Sequence, residues 1–320
     1  MTDPAGRLEI VRPAVPIGLA GAVLAESWSN DTWLTGGSVL RVCWRGDRER
    51  LVREAMLLGS LPAAVPHASV LAAGHADGLT WMVLRRLPGE RLDLAWPALS
   101  GREQRDAVVG LAGALKALHR WQPPPTVRQQ LRQVPLTPPI TSGDIVGTGM
   151  VPLPIWRLLP LLDWLDEQPG MDRDLAGRVR ARIGELRPLV SDAEFEDGVV
   201  VHGDASFANV LWHRGRLVAL LDLEWARLGP PDLEFATVSG DDADIHAREL
   251  SGVPSASDLP LFTWLRDGYP ELFERRHLTE RVWLYDICFR IRQMCAWGRL
   301  DPRSLQDLAD LIMHPGVRFP

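Results

Sequence analysis

The chain has 320 residues, 46% hydrophobic and 24% charged, with a net charge of −6. That length accommodates one large domain or two lobes around a sizeable core, and the mildly acidic balance excludes duplex nucleic acid as the main partner, because phosphate binding needs a basic patch. No run approaches the ~20 apolar residues of a membrane span, so a membrane is not expected as a partner either.

Lys116 is the only lysine, so any site that ordinarily uses lysine must use arginine. Cys43, Cys288 and Cys295 are odd in number and fit no metal or redox spacing. They read as free, mostly buried thiols in a reducing, cytoplasmic compartment.

Near the N-terminus, "PAVPIGLAGAVLA" (Pro13 to Ala25) is apolar enough to pass for part of a signal peptide. Its flank carries Asp3 and Glu9 beside Arg7 and Arg12, and Pro16 interrupts it, so it is expected to be an ordinary N-terminal segment of the fold. From about Leu24 to Leu87 the pattern is β-rich with one helix. "ESWSNDTW" (Glu26 to Trp33) is a polar turn whose Ser29, Asn30 and backbone N–H groups could donate to an anion. "SVLRVCW" (Ser38 to Trp44) reads as a strand after Gly36-Gly37. "DRERLVREAMLLGSL" (Asp47 to Leu61) reads as a helix with Asp47 as N-cap. "WMVLRRL" (Trp81 to Leu87) is a short strand stopped by Pro88-Gly89.

Beyond Pro88-Gly89 the pattern turns helical. Arg102 to Trp121 predicts a long helix, Thr126 to Pro154 a long irregular connection, and Trp156 to Glu167 and Asp172 to Leu189 two more helices. Thr263 to Gly298 reads as mostly helical. The fold class expected is therefore α+β and two-lobed: a small β-rich N-lobe over residues 1–87 and a larger helical C-lobe over 88–320.

Within the C-lobe lies "VVHGDASFANVLWHRGRLVALLDLEW", Val199 to Trp225. It reads as a hairpin, Asn209 to His213 against Leu217 to Trp225, turning at Arg214-Gly215-Arg216. The pairing brings Asn209 near Asp222, with Asp204 just upstream. Two carboxylates and an amide oxygen make an all-oxygen site of the kind Mg²⁺ prefers, with Asn209 and Asp222 as ligands. Asp204 is then free to accept a proton from a hydroxyl nucleophile. The spacing from His202-Gly203-Asp204 to Asn209 matches the protein-kinase catalytic loop H-R-D-x-x-x-x-N, where Asp is the base and Asn binds metal. In the small lobe, Arg41 on its strand and Glu54 on the following helix take the places of the kinase lysine–glutamate pair that grips the phosphates. The linker "MVLRRLPG" offers the backbone of Leu84 and Arg86 to a nucleotide base.

These motifs resemble the aminoglycoside phosphotransferase and choline kinase-like family. The likeness rests on "VVHGDASFANVLW" followed by "LLDLEWARLGPPDLEFA", with H-G-D-x-x-x-x-N at His202 to Asn209, D-x-E at Asp222 and Glu224, and Gly229 with Asp232-Leu233. The resemblance implies a protein-kinase-like fold, ATP or GTP as phosphoryl donor, Mg²⁺ held by Asn209 and Asp222, and Asp204 as catalytic base. It implies a structural role for Asp232 and leaves Glu224 open between a metal, the substrate and a structural role. The loop has "ASFA" where "LHPG" is common in the family. The acceptor it implies is a small-molecule hydroxyl: an aminoglycoside-like, sugar-containing or nucleoside antibiotic, or alternatively a metabolic sugar or amino alcohol. Acidic residues in "SGDDADIHARE" (Ser239 to Glu249), and Trp212 and Trp225 beside the metal motif, are candidate contacts for a cationic or sugar-like ligand. A non-catalytic nucleotide-binding module competes with this reading, but the intact Asp204, Asn209 and Asp222 argue against it. A protein kinase competes too, but no D-F-G or A-P-E is present.

Overall fold

The computed structural model describes residues 3–27, 29–133, 149–238, 261–297, 300 and 302–315. Five strands, β1 (Val23–Ala25), β2 (Asp31–Leu34), β3 (Ser38–Cys43), β4 (Val70–Ala76) and β5 (Leu79–Arg85), form an antiparallel sheet in the order β1-β2-β3-β5-β4. Side chains alternate across a strand, so β3 sends Leu40 and Val42 to one face and Arg41 and Cys43 to the other. On β5, Trp81 and Val83 join the first face and Met82 and Leu84 the second.

The first face is covered by the helix Pro4–Val11 through Leu8 and Val11, and by Val15 and Leu19 beyond it. Of the apolar stretch after Pro13, Val15 and Leu19 pack into this layer, while Val23 and Leu24 of β1 are exposed. Arg7 locks this layer to β2: its Nε and Nη2 donate to the two Asp31 carboxylate oxygens at 2.6 and 2.8 Å, both side chains being buried. The second face takes the helix Arg50–Leu58 through Leu51, Leu57 and Leu58. This helix starts three residues after the expected N-cap. Asp47 Oδ1 instead accepts from Glu49 N at 3.1 Å, closing a turn that precedes the helix, which has no side-chain cap of its own.

At Gly89 the backbone takes φ +128°, and a Cβ there would lie 2.6 Å from Trp212 O. That close approach lets β6 (Glu90–Arg91) pair with β8 (Val210–His213), which pairs with β9 (Arg216–Leu220). The linker is therefore stitched directly onto the hairpin. β7 (Val199–Val201) and β10 (Arg227–Gly229) form a second antiparallel pair beside it. The helix Gly101–Arg120, opened by a Ser100/Glu103 capping box, buries Val108, Leu111, Leu115 and Leu118 in the main core. The helix Leu278–Trp297 packs on the helices Ile155–Glu167, Arg173–Leu186 and Pro302–Met313.

Two expectations need correction. The connection after Thr126 is not irregular from its start, since Pro125–Leu131 is helical; residues 134–148 lie outside those described. The second hairpin strand stops at Leu220 rather than Trp225, because Asp222 adopts a left-handed conformation (φ +59°) and Leu223–Trp225 wind into a 3-10 turn. The apolar run hid that break.

Replacing Asp31 by alanine leaves the Arg7 guanidinium buried without its bidentate partner. The expected loss is about 3–5 kcal/mol, read as a lower urea midpoint by circular dichroism.

Candidate active site

The hairpin's open end assembles the polar residues. Val210 pairs with Leu220, and Leu221 N donates to Asn209 O at 2.8 Å, so Asn209 sits next to the turn carrying Asp222. The loop before it passes tightly against that turn. Gly203 takes φ +82°, and a Cβ there would meet Trp225 O at 2.5 Å. His202 is fully buried; its Nε2 lies 2.9 Å from Leu221 O while its Nδ1 accepts from Asp204 N at 3.3 Å. One neutral tautomer, protonated at Nε2, satisfies both contacts, and burial lowers the imidazole pKa accordingly. Asn209 Nδ2 donates to Asp204 O at 2.8 Å. Burial, reinforced by the Asp222 charge, pushes the Asp204 carboxyl up to about 7. Asp204, Asn209 and Asp222 are therefore brought together as the sequence predicted.

A second group meets them from the sheet. Arg41 Nη1 donates to Glu54 Oε2 at 2.7 Å, forming the expected pair. Its Nη2 reaches Asp222 Oδ1 at 2.5 Å and Glu224 Oε2 at 2.9 Å. Glu54 Oε1 accepts from Leu223 N at 2.9 Å, fixing the helix to the 3-10 turn. Burial works against the Arg41 charge, but the Asp222, Glu54 and Glu224 carboxylates outweigh it and raise its pKa. Burial raises Glu54 and Glu224 in turn, against the pull of Arg41. Glu224, whose role the sequence left open, is a buried acceptor: Asn30 Nδ2 reaches the same Oε2 at 2.7 Å and Arg50 Nε at 3.2 Å.

A divalent cation can be tested against these residues. Carboxylate oxygens of Glu54, Asp222 and Glu224 lie within 4.8 Å of one another, and Glu224 Oε1 is buried without a hydrogen-bond partner among the described residues. These donors are all oxygen, which fits Mg²⁺ rather than a soft metal, and Asn209, next to the turn that carries Asp222, would add an amide oxygen.

The remaining predicted residues fare differently. Ser29 lies beside Asn30, whose amide is buried and committed to Ser29 Oγ, Glu224 and Arg50. Leu84 is flanked by strand partners on both sides, Val39 and Val70. Arg86 N donates to Gly37 O at 3.0 Å and its Nη1 to Thr35 O at 2.7 Å. The Arg86 N–H is therefore already engaged, so of its backbone groups the carbonyl is the one left to offer a nucleotide base. Trp212 and Trp225 are buried, so they belong to the core and present no face to a sugar. Residues 239–249 lie outside those described.

Two residues with clear contacts at the site were missed. Glu234 accepts from His202 N at 2.6 Å and Gly203 N at 3.3 Å, and His119 Nε2 lies 3.2 Å from it. Burial raises its pKa, yet the His119 contact and the other histidine outweigh that and hold it low. Asp232, expected to act structurally, turns the other way, to Arg281 at 2.7 and 3.1 Å and Tyr285 OH at 3.0 Å. Arg50, fully buried, is the other missed residue. Neither carries a local signal, because the site contacts of both lie far away in sequence.

Comparison with known proteins places the fold and the family. Similar solved structures include the aminoglycoside phosphotransferase APH(2'')-Ib with ADP bound, at TM-score 0.61 and 18% identity over 96% of each chain. The streptomycin–ATP–APH(2'')-IIa ternary complex matches at TM-score 0.60 and 16% identity, over 92% of this chain and 91% of that one. A thermostable mutant of APH(4)-Ia with ADP and hygromycin B matches at TM-score 0.59 and 18% identity, over 94% and 95%. These likenesses show the two-lobed, protein-kinase-like α+β fold. No curated protein sequence matches the chain. The model of the phosphotransferase enzyme family matches residues 21–266, and the chain belongs to that family.

Proposed function

We propose that this protein is a small-molecule kinase that moves the γ-phosphoryl group of ATP, or GTP, to a hydroxyl of an aminoglycoside-like or other sugar-containing acceptor. The observation that carries the reading is the convergence of Asp204, Asn209 and Asp222 at the end of the β8–β9 hairpin, faced by the Arg41–Glu54 pair. Family membership supports phosphotransfer, and the streptomycin and hygromycin B complexes among the similar structures support the acceptor class.

In this reading residues 1–87 grip the nucleotide phosphates and residues 88–320 carry the chemistry and the acceptor. Asp204 accepts the proton of the attacking hydroxyl, held in place by the Asn209 side chain. Asn209 and Asp222 hold Mg²⁺, which supplies charge neutralisation on the transferring group. Arg41, aligned by Glu54, faces the phosphates, and the Ser29-Asn30 turn frames the loop above them. The strand end at Leu84 borders the base. The three cysteines are free and buried, which supports a reducing, cytoplasmic setting.

Asp204→Asn is expected to lower phosphorylation turnover by about a hundred- to ten-thousand-fold while nucleotide still binds. Mass change across a panel of aminoglycosides, nucleosides, sugars and amino alcohols measures it. Equal activity of variant and wild type across that panel would sink the kinase reading, whereas product on amino alcohols alone would move only the acceptor class.

Asp222→Ala is expected to abolish the Mg²⁺ dependence of nucleotide binding, followed by calorimetry with Mg²⁺ and with EDTA. An unchanged difference between the two conditions removes Asp222 as a ligand.

A further inference from the structure

Arg50 is the first residue of the helix Arg50–Leu58, and its side chain is fully buried. All three guanidinium nitrogens are engaged. Nε donates to Glu224 Oε2 at 3.2 Å, Nη1 to Arg45 O at 2.5 Å and Asp47 O at 3.1 Å, and Nη2 to Asn30 Oδ1 at 2.9 Å and to Ser29 O. One residue thus ties three segments to its own helix: the turn before β2, the turn after β3, and the turn that carries Asp222 and Glu224. Asn30 closes the ring, since its Nδ2 donates to the same Glu224 oxygen that Arg50 contacts, at 2.7 Å.

The chemistry of this joint is specific to arginine. A planar guanidinium presents five N–H donors in a fixed fork, and here they are divided among a carboxylate, an amide oxygen and three backbone carbonyls. An ammonium has three donors on one atom and cannot span those directions. Buried among carbonyls, a guanidinium also needs a counter-charge, and Glu224 provides it. The residue touches neither Asp204 nor Asn209 through any of these bonds.

We propose that Arg50 is a positioning residue that locks the Ser29-Asn30 turn to the Asp222–Glu224 turn, so that the loop over the nucleotide phosphates and the carboxylate that binds the metal are set as one piece. The inference rests on the phosphotransferase reading above and assigns Glu224 its part: it is the anchor on the catalytic side, with Asn30 the anchor on the loop side. Loosening the joint is expected to harm recognition of the phosphates and to spare recognition of the base and ribose.

The test compares full-length wild type with Arg50→Lys for binding of AMP-PNP with Mg²⁺ and of adenosine, by calorimetry, together with amide hydrogen exchange. The expected result is AMP-PNP affinity weakened by about tenfold or more, adenosine affinity unchanged, and faster exchange in residues 29–34 and 221–226 but not in the Gly101–Arg120 helix. If wild type binds neither ligand, the kinase reading falls and takes this inference with it. If wild type binds both and Arg50→Lys matches it, or loses both ligands equally, the inference alone is overturned. Should Arg50→Lys fail to fold, Asn30→Ala breaks the same ring while leaving both guanidinium groups in place. It must show the same selective loss of AMP-PNP, and equal affinity for both ligands overturns the proposal.

Discussion

Three carboxylates share one guanidinium at the junction between the sheet and the hairpin. Glu54 comes from the helix on the sheet, Asp222 and Glu224 from the turn after β9, and Arg41 from β3 stands between them. Carboxylates held this close in a buried place repel one another and lose their hydration, so the arrangement stands only with a cation at its centre. Arginine suits that position where lysine does not: Nη1 takes Glu54 while Nη2 takes both residues of the D-x-E motif. The alternation of β3 is what delivers it, because Leu40 and Val42 must face the N-terminal layer and Arg41 must then face the hairpin. The position of the helix, the depth of the strand and the shape of the Asp222 turn all follow from that single contact set.

The loop that carries Asp204 has a separate support on its far side. The 3-10 turn Pro231–Glu234 places two acids back to back: Glu234 receives the His202 and Gly203 amides, and Asp232 receives Arg281 and Tyr285 from the helix Leu278–Trp297. Buried backbone N–H groups in a loop have no ladder to satisfy them, so a carboxylate acceptor there fixes the loop's path. The chain of contacts runs from the C-terminal helices through one turn to the residue before Asp204.

Much of this was legible in the sequence because the informative residues break local patterns. Polar groups at fixed spacing inside an apolar hairpin announced Asp204, Asn209 and Asp222, and an arginine inside an apolar strand announced Arg41. What stayed hidden depended on partners far away in sequence. Glu234 looks like any acid after a Pro-Pro turn until β7 brings His202 to it, and Arg50 looks like a solvated helix residue until Glu224 folds onto it, 174 positions away. The early end of the second hairpin strand was hidden for a different reason. Leu220, Leu221 and Leu223 continue an apolar pattern, and composition alone does not register the single left-handed residue at Asp222 that bends the chain. Likewise nothing local to Arg86 shows that its N–H is taken by Gly37 O, 49 positions earlier across the sheet.

The charge balance of the assembled site then bears on its chemistry. Around the hairpin end stand two buried guanidinium groups, Arg41 and Arg50, and four carboxylates, Glu54, Asp204, Asp222 and Glu224. Four carboxyl groups thus stand against two guanidinium groups in a poorly hydrated place. Burial first, and the neighbouring Asp222 charge after it, push Glu54, Asp204 and Glu224 upward. Asp222 stays partly exposed and Glu224 Oε1 has no hydrogen-bond partner among the described residues, so carboxylate oxygens that Arg41 and Arg50 do not satisfy remain at the hairpin end. Arg41 and Arg50 therefore do two different jobs with the same chemistry: one makes the carboxylate cluster tolerable, the other ties it to the Ser29-Asn30 turn.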